Sequence, residues 1–147
     1  MRELPGKLTA DELAELFEGR TRLVERLAAL EDPLERADEA IAALLSEEEK
    51  LEAVDAHPAI GQRAGLSGPS AAEQGGDDDP AILEELARLN RAYEERFGFR
   101  FVVFVDRRPR REIVPVLRDR LERSREEELD TALRELFAIA RDRWQGA

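Results

Sequence analysis

A chain of 147 residues suits one domain with a single core and leaves little for a second. Its 39% charged residues and formal net charge of −11 give a surface that repels nucleic acid and anionic lipid, so neither a nucleic-acid nor a membrane role is expected. The absence of cysteine excludes disulfides, thiol nucleophiles and cysteine-ligated zinc. With no apolar run of spanning length and no apolar core in the opening MRELPGKLTADE, the expectation is a soluble, cytoplasmic protein.

Thr9-Ala10-Asp11-Glu12 is a capping box, and the helix it opens carries Leu13, Leu16 and Phe17 on one face, with Gly19 as its expected stop. A second helix is expected from about Thr21 to Leu30, with Leu23, Leu27 and Leu30 inward. Asp32-Pro33 reads as an N-cap and first-turn proline that start a third helix burying Leu34, Ala37, Ile41 and Leu44 or Leu45. Ser46 and Glu49 form another capping box, and Leu51 and Val54 lead a short fourth helix up to His57.

After a central loop, the acidic turn Asp77-Asp78-Asp79-Pro80 favours the positive end of a following helix. That helix shows Ile82, Leu83, Leu86, Leu89 and Tyr93 at helical spacing and ends near Gly98. FGFRFVVFV, residues 97–105, would be a strand by propensity alone. No second convincing strand exists to pair with it, so it reads as a buried extended segment or a helix start overridden by its surroundings. Its amides need partners, and a bound ligand could supply some. A helix follows from about Arg111 to Arg123, with Ile113, Val114, Leu117 and Leu121 inward and Pro115 in or near its first turn. Ser124 with Glu127 caps the last helix, which carries Leu129, Leu133, Leu136, Phe137 and Ala140. The expected class is all-α, a single domain over residues 1–147, built as a compact bundle of about seven helices with one buried extended apolar segment.

Several chemistries are missing. One histidine cannot make HExxH, and neither lysine, Lys7 or Lys50, follows a phosphate-binding glycine run. Gly65-Leu66-Ser67-Gly68-Pro69 resembles a nucleophile elbow but has proline where the second glycine belongs, and no strand leads into it. All other basic residues are arginine, so a single arginine is a weak pointer.

What remains is the stretch from His57 to Gln74, HPAIGQRAGLSGPSAAEQ, which holds the lone histidine. Imidazole exchanges protons near neutrality, and Pro58 biases His57 toward an extended link after its helix. The loop brings Ser70, Glu73 and Gln74 within sequence reach. Ser70-Ala71-Ala72-Glu73 is equally a well-formed capping box, and by spacing alone that structural reading is favoured. The two readings are compatible. Acid–base chemistry by His57 with Glu73, without metal or cofactor, is as far as the residues lead.

His57-Pro58-Ala59-Ile60-Gly61, then Ser70-x-x-Glu73-Gln74, Leu89-Asn90-x-x-Tyr93, Phe97-Gly98-Phe99-x-Phe101-Val102 and Ile139-Ala140-x-x-Arg143 occur in order between about Leu13 and Trp144. This ordered set resembles the 2-oxo-4-hydroxy-4-carboxy-5-ureidoimidazoline (OHCU) decarboxylases of urate breakdown. The resemblance implies an all-helical homodimer that converts the small-molecule ureidoimidazoline to S-allantoin and carbon dioxide with no cofactor. It implies His57 and Glu73 as catalytic residues and Ser70, Gln74 and Arg143, with Pro58 beside the histidine, as substrate contacts. Backbone contacts would come from Phe101, Val102 and Val103. The chain departs from the family pattern at GGDDDP after Gln74, in lacking a proline-tryptophan after the first phenylalanine, and at Arg123-Ser124, where an asparagine is usual. Alternatives are a non-catalytic helical interaction module, or a lyase or isomerase acting on a related ureido or hydantoin compound.

Overall fold

Side-chain caps mark where five of the seven described α-helical segments begin, because the first amides of a helix have no partner within it. The computed structural model describes residues 3–58 and 79–146. The loop expectations for Ser70, Glu73 and Gln74 therefore lie outside the described residues. Thr9 Oγ1 accepts from the Glu12 amide at 3.1 Å and Glu12 returns a bond to the Thr9 amide at 3.0 Å, opening α1, Ala10–Phe17. Its stop begins one residue before the expected glycine: Glu18 takes left-handed backbone at φ 63° and Gly19 follows at φ 128°. Thr21 caps α2, Arg22–Ala28, which buries Leu23, Val24 and Leu27.

The single third helix expected from Asp32-Pro33 is broken into three pieces. A 3₁₀ turn, Pro33–Glu35, leads to the one-turn α3, Ala37–Glu39, and then to a π-helical turn, Ala40–Leu44. Asp32 is the cause. Its amide is held by the Gly6 carbonyl at 2.8 Å and its φ is 49°, so its side chain does not cap and regular helix does not start there. The inward stripe survives in part, with Leu34 and Ile41 buried and Leu44 and Leu45 half-buried.

Ser46 and Glu49 close the expected box at 2.9 and 3.2 Å and open α4, Glu47–Asp55. Glu49 also pairs with Arg26 at 2.7 Å, which ties α4 to α2. The Asp79 carboxylate accepts from the Ala81 amide at 2.9 Å at the head of α5, Pro80–Phe97, and Gly98 at φ 79° ends it. Leu86, Leu89, Tyr93 and Phe97 are buried along one face.

Residues 99–105 run extended and mostly buried, and form no strand. Several of their polar groups are met by side chains in place of a neighbouring strand. The Arg100 amide donates to Asp55 at 3.1 Å and the Phe104 amide to Glu135 at 3.2 Å. The Val102 carbonyl accepts from Arg120 at 2.6 Å. The aromatic rings of the segment gather round Tyr93, whose centroid lies 4.6 Å from Phe97, 5.9 Å from Phe99 and 5.2 Å from Phe101.

Helix α6, Arg110–Arg120, starts at Pro109, so Pro115 sits in its second turn and not its first. Ser124 and Glu127 then cap α7, Arg125–Gly146, at 3.1 and 3.4 Å. This long helix packs against α1 and α4, and Phe137 meets Phe17 edge-on at 5.3 Å. Among the described residues there are seven α-helical segments and no strand, the all-α class that the periodicity predicts.

Candidate active site

His57 lies just past the end of α4, where its amide donates to the Val54 carbonyl at 3.2 Å and continues the turn. Both His57 and Pro58 are buried, the histidine at 8% exposure. The apolar segment grips this corner through its one charged residue. Arg100 Nη1 donates to the His57 carbonyl at 2.6 Å, while the Arg100 amide donates to Asp55.

Arg143 reaches the same corner from the last turn of α7. Its guanidinium is held by the end of α1: Nη2 donates to Glu18 Oε1 at 2.9 Å and Nη1 to the Leu16 carbonyl at 3.0 Å. Carbonyls in the last turn of a helix lack intrahelical partners and attract cations, so an arginine there is doubly favoured. The pair is nearly closed to solvent, with Arg143 at 5% and Glu18 at 13% side-chain exposure.

These neighbours set the state of the imidazole. Burial is the largest influence and pushes His57 down from 6.5 to about 4; Arg143 and Arg100 push the same way, and Glu18 opposes them. His57 is therefore neutral at physiological pH, with a ring nitrogen available to accept a proton. A neutral imidazole beside an anchored guanidinium can take a proton from a substrate hydroxyl while an anionic oxygen is held close by.

Of the residues singled out in the sequence, His57, Pro58 and Arg143 occupy this corner. Phe101, Val102 and Val103 directly follow Arg100 and are buried. The Phe101 ring is committed to the aromatic cluster and to Arg120, whose guanidinium lies 4.6 Å above it, so this residue has its backbone to offer a ligand. The amides of Phe101, Val102 and Val103 meet no acceptor among the described residues. Ser70, Glu73 and Gln74 lie outside those residues. Among the described residues, no three histidine, aspartate or glutamate side chains gather to hold a metal ion.

Two members of the corner escaped the sequence reading. Arg100 had a signal, as the lone charge inside an apolar run. Glu18 had none, since its role depends on a partner 125 residues away.

Fold and site together define an all-helical domain with a buried histidine at a corner where Arg100 and Arg143 are anchored. A family model described as OHCU decarboxylase matches residues 2–145. The chain belongs to the OHCU decarboxylase family, carboxy-lyases of urate degradation. It is 32% identical over 152 residues to the uric acid degradation bifunctional protein PucL of Bacillus subtilis, covering 97% of this chain and 31% of that protein. It is 32% identical over 140 residues to a 2-oxo-4-hydroxy-4-carboxy-5-ureidoimidazoline decarboxylase of Haloferax volcanii, covering 88% of this chain and 83% of the relative. The chain thus spans about a third of the bifunctional relative and most of the archaeal one. Among solved structures, an OHCU decarboxylase crystallised in the presence of (S)-allantoin superimposes with a TM-score of 0.72 at 23% identity, over 90% of this chain and 94% of that one, which speaks for the fold. An (S)-allantoin synthase matches with a TM-score of 0.66 at 27% identity, over 93% of this chain and 48% of that one.

Proposed function

We propose that this chain decarboxylates 2-oxo-4-hydroxy-4-carboxy-5-ureidoimidazoline to S-allantoin, with His57 as the acceptor of the C4 hydroxyl proton. The observation that carries the reading is the buried, neutral imidazole of His57 beside the anchored Arg143.

The substrate is its own electron sink. As the bond from C4 to the carboxylate breaks, its electron pair forms a C4=C5 bond and the C5=N pair moves onto nitrogen, which takes a proton. The C4 hydroxyl then gives its proton to His57 as the carbonyl forms, and C5 takes a proton on one face, which sets the S configuration. One proton is consumed overall and carbon dioxide leaves, so no cofactor is called for. At working pH the imidazole is in the neutral form that can accept this proton. Arg143 holds an anionic or carbonyl oxygen through its planar donor fork.

The remaining assignments follow the family resemblance. Glu73 shares the proton handling, Ser70 and Gln74 bind the ureido or ring amides, Pro58 lines the site, and the backbone of Phe101, Val102 and Val103 contacts the ligand. The chain works as a single domain, as a homodimer, in the cytoplasm. No helix among the described residues is long and apolar enough to cross a membrane.

The test generates the ureidoimidazoline in place from urate with urate oxidase and hydroxyisourate hydrolase, and follows circular dichroism at a wavelength sensitive to allantoin. The S-allantoin signal should appear rapidly with wild-type protein, and His57→Ala should slow it by about 10²-fold or more with helical content unchanged. A folded wild-type protein that forms allantoin no faster than the spontaneous, racemic reaction would refute the assignment.

A further inference from the structure

We infer that Glu18 is a positioning residue of this site, whose carboxylate holds the Arg143 guanidinium in the orientation that meets the substrate. The inference deepens the function proposed above and rests on Arg143 as a substrate-holding residue.

Glu18 occupies backbone that side chains disfavour. It is the C-cap of α1, at φ 63° and ψ 44°, a position that ordinarily goes to glycine, and a glycine stands directly after it. Strain of this kind persists where the side chain has another task. Here that side chain turns inward onto Arg143 Nη2 at 2.9 Å, where most glutamates at a helix end face water.

Leu16, from the same helix end, takes Nη1 at 3.0 Å. One charged and one neutral acceptor thus engage both terminal nitrogens and fix the plane of the fork from α1, although the arginine belongs to α7. A free arginine must lose rotamer freedom when it closes on a ligand. An arginine already held has lost that freedom in folding, so substrate binding does not bear the cost. The carboxylate also offsets part of the cationic field at His57, since Glu18 and Arg143 act on the imidazole in opposite directions.

Steady-state kinetics of four variants test this. Glu18→Gly relieves the left-handed backbone while removing the carboxylate, and should raise KM about tenfold with kcat changed less than about threefold. Glu18→Gln keeps an acceptor oxygen at the same reach and should restore KM to within about threefold of wild type. Arg143→Ala should raise KM, and adding Glu18→Gly to it should change nothing further, because Glu18 acts through Arg143. If Glu18→Gly fails to fold, Glu18→Asp substitutes for it; aspartate tolerates left-handed backbone but is one methylene short of the guanidinium, so KM should again rise.

A wild-type KM in Glu18→Gly beside a raised KM in Arg143→Ala overturns the positioning role and leaves the reading of Arg143 intact. A full additional loss in the double variant overturns it as well, by making Glu18 independent of Arg143. A wild-type KM in Arg143→Ala removes the binding role of that arginine, and the inference falls with it.

Discussion

Tyr93 Oη donates to Glu128 Oε1 at 2.7 Å across 35 residues of sequence, with the carboxylate wholly closed to solvent. Arg120 completes the arrangement, donating from Nε to the same Oε1 at 2.7 Å and from Nη1 to the Val102 carbonyl at 2.6 Å. A buried pair of charges thereby holds the extended segment that α5 hands on towards α6. Burial, and then the bond to Glu128, keep the Tyr93 phenol protonated well above its ordinary range, so it remains a donor in alkaline solution.

Breaking this buried pair strands a charge. Arg120→Met should cost about 3 to 5 kcal/mol in urea denaturation at pH 7, because the buried Glu128 carboxylate then loses its main partner. Tyr93→Phe removes one hydrogen bond and keeps the ring, and should cost only about 1 to 2 kcal/mol. Equal costs for the two variants would argue against the charge pair as the dominant element.

His57 makes stability depend on pH in a defined window. The unfolded chain binds a proton at the imidazole below 6.5, while the folded protein keeps it neutral down to about 4. The unfolded state therefore gains protons first as the solution is acidified. Stability is full above pH 6.5 and should fall by about 3 kcal/mol as pH drops toward 4. His57→Gln should flatten that part of a stability-versus-pH curve. For activity, the acid limb of kcat/KM should lie near 4 instead of 6.5, and a limb at 6.5 would contradict a buried neutral base.

Glu49 adds a second, lower window. The Arg26 guanidinium, and then the Ser46 amide, hold its carboxyl down from 4.5 to about 2. Its contribution is complete above 4.5 and lost as pH falls toward 2, so Glu49→Gln should reduce the acid sensitivity there, leaving the share of Glu85, which Arg88 and Arg118 hold down to about 2, and the His57 window unchanged. Ser46→Ala should cost about 1 kcal/mol at neutral pH through the lost cap, read by thermal melting.

Pro115 lies exposed in the second turn of α6, where it cannot donate the helical hydrogen bond. Pro115→Ala should stabilise the fold by about 1 kcal/mol, a rise of roughly 3 °C in Tm. An unchanged Tm would mean that the helix has already adapted to the ring.

Features that depend on neighbours within about four residues are legible in the chain alone. The capping boxes at Thr9, Ser46 and Ser124 and the apolar stripes of α1, α5 and α7 stand where spacing places them, because helical hydrogen bonds and side-chain faces repeat over that distance. His57 was legible as the lone imidazole, and the ordered motifs were sufficient to indicate the family.

Tertiary structure decided the rest. Asp32 is turned into left-handed backbone with its amide on Gly6, 26 residues away, and this breaks the helix that Asp32-Pro33 announces locally. The FGFRFVVFV run has the composition of a strand, yet Asp55, Glu135 and Arg120 satisfy backbone groups that a neighbouring strand would take. Glu18 is a surface glutamate to any local reading and becomes the anchor of Arg143 only when α1 meets α7. The protonation state of His57 belongs to the same class. Desolvation and the field of distant charges arise when remote segments close over a group, and no local spacing in the chain encodes them.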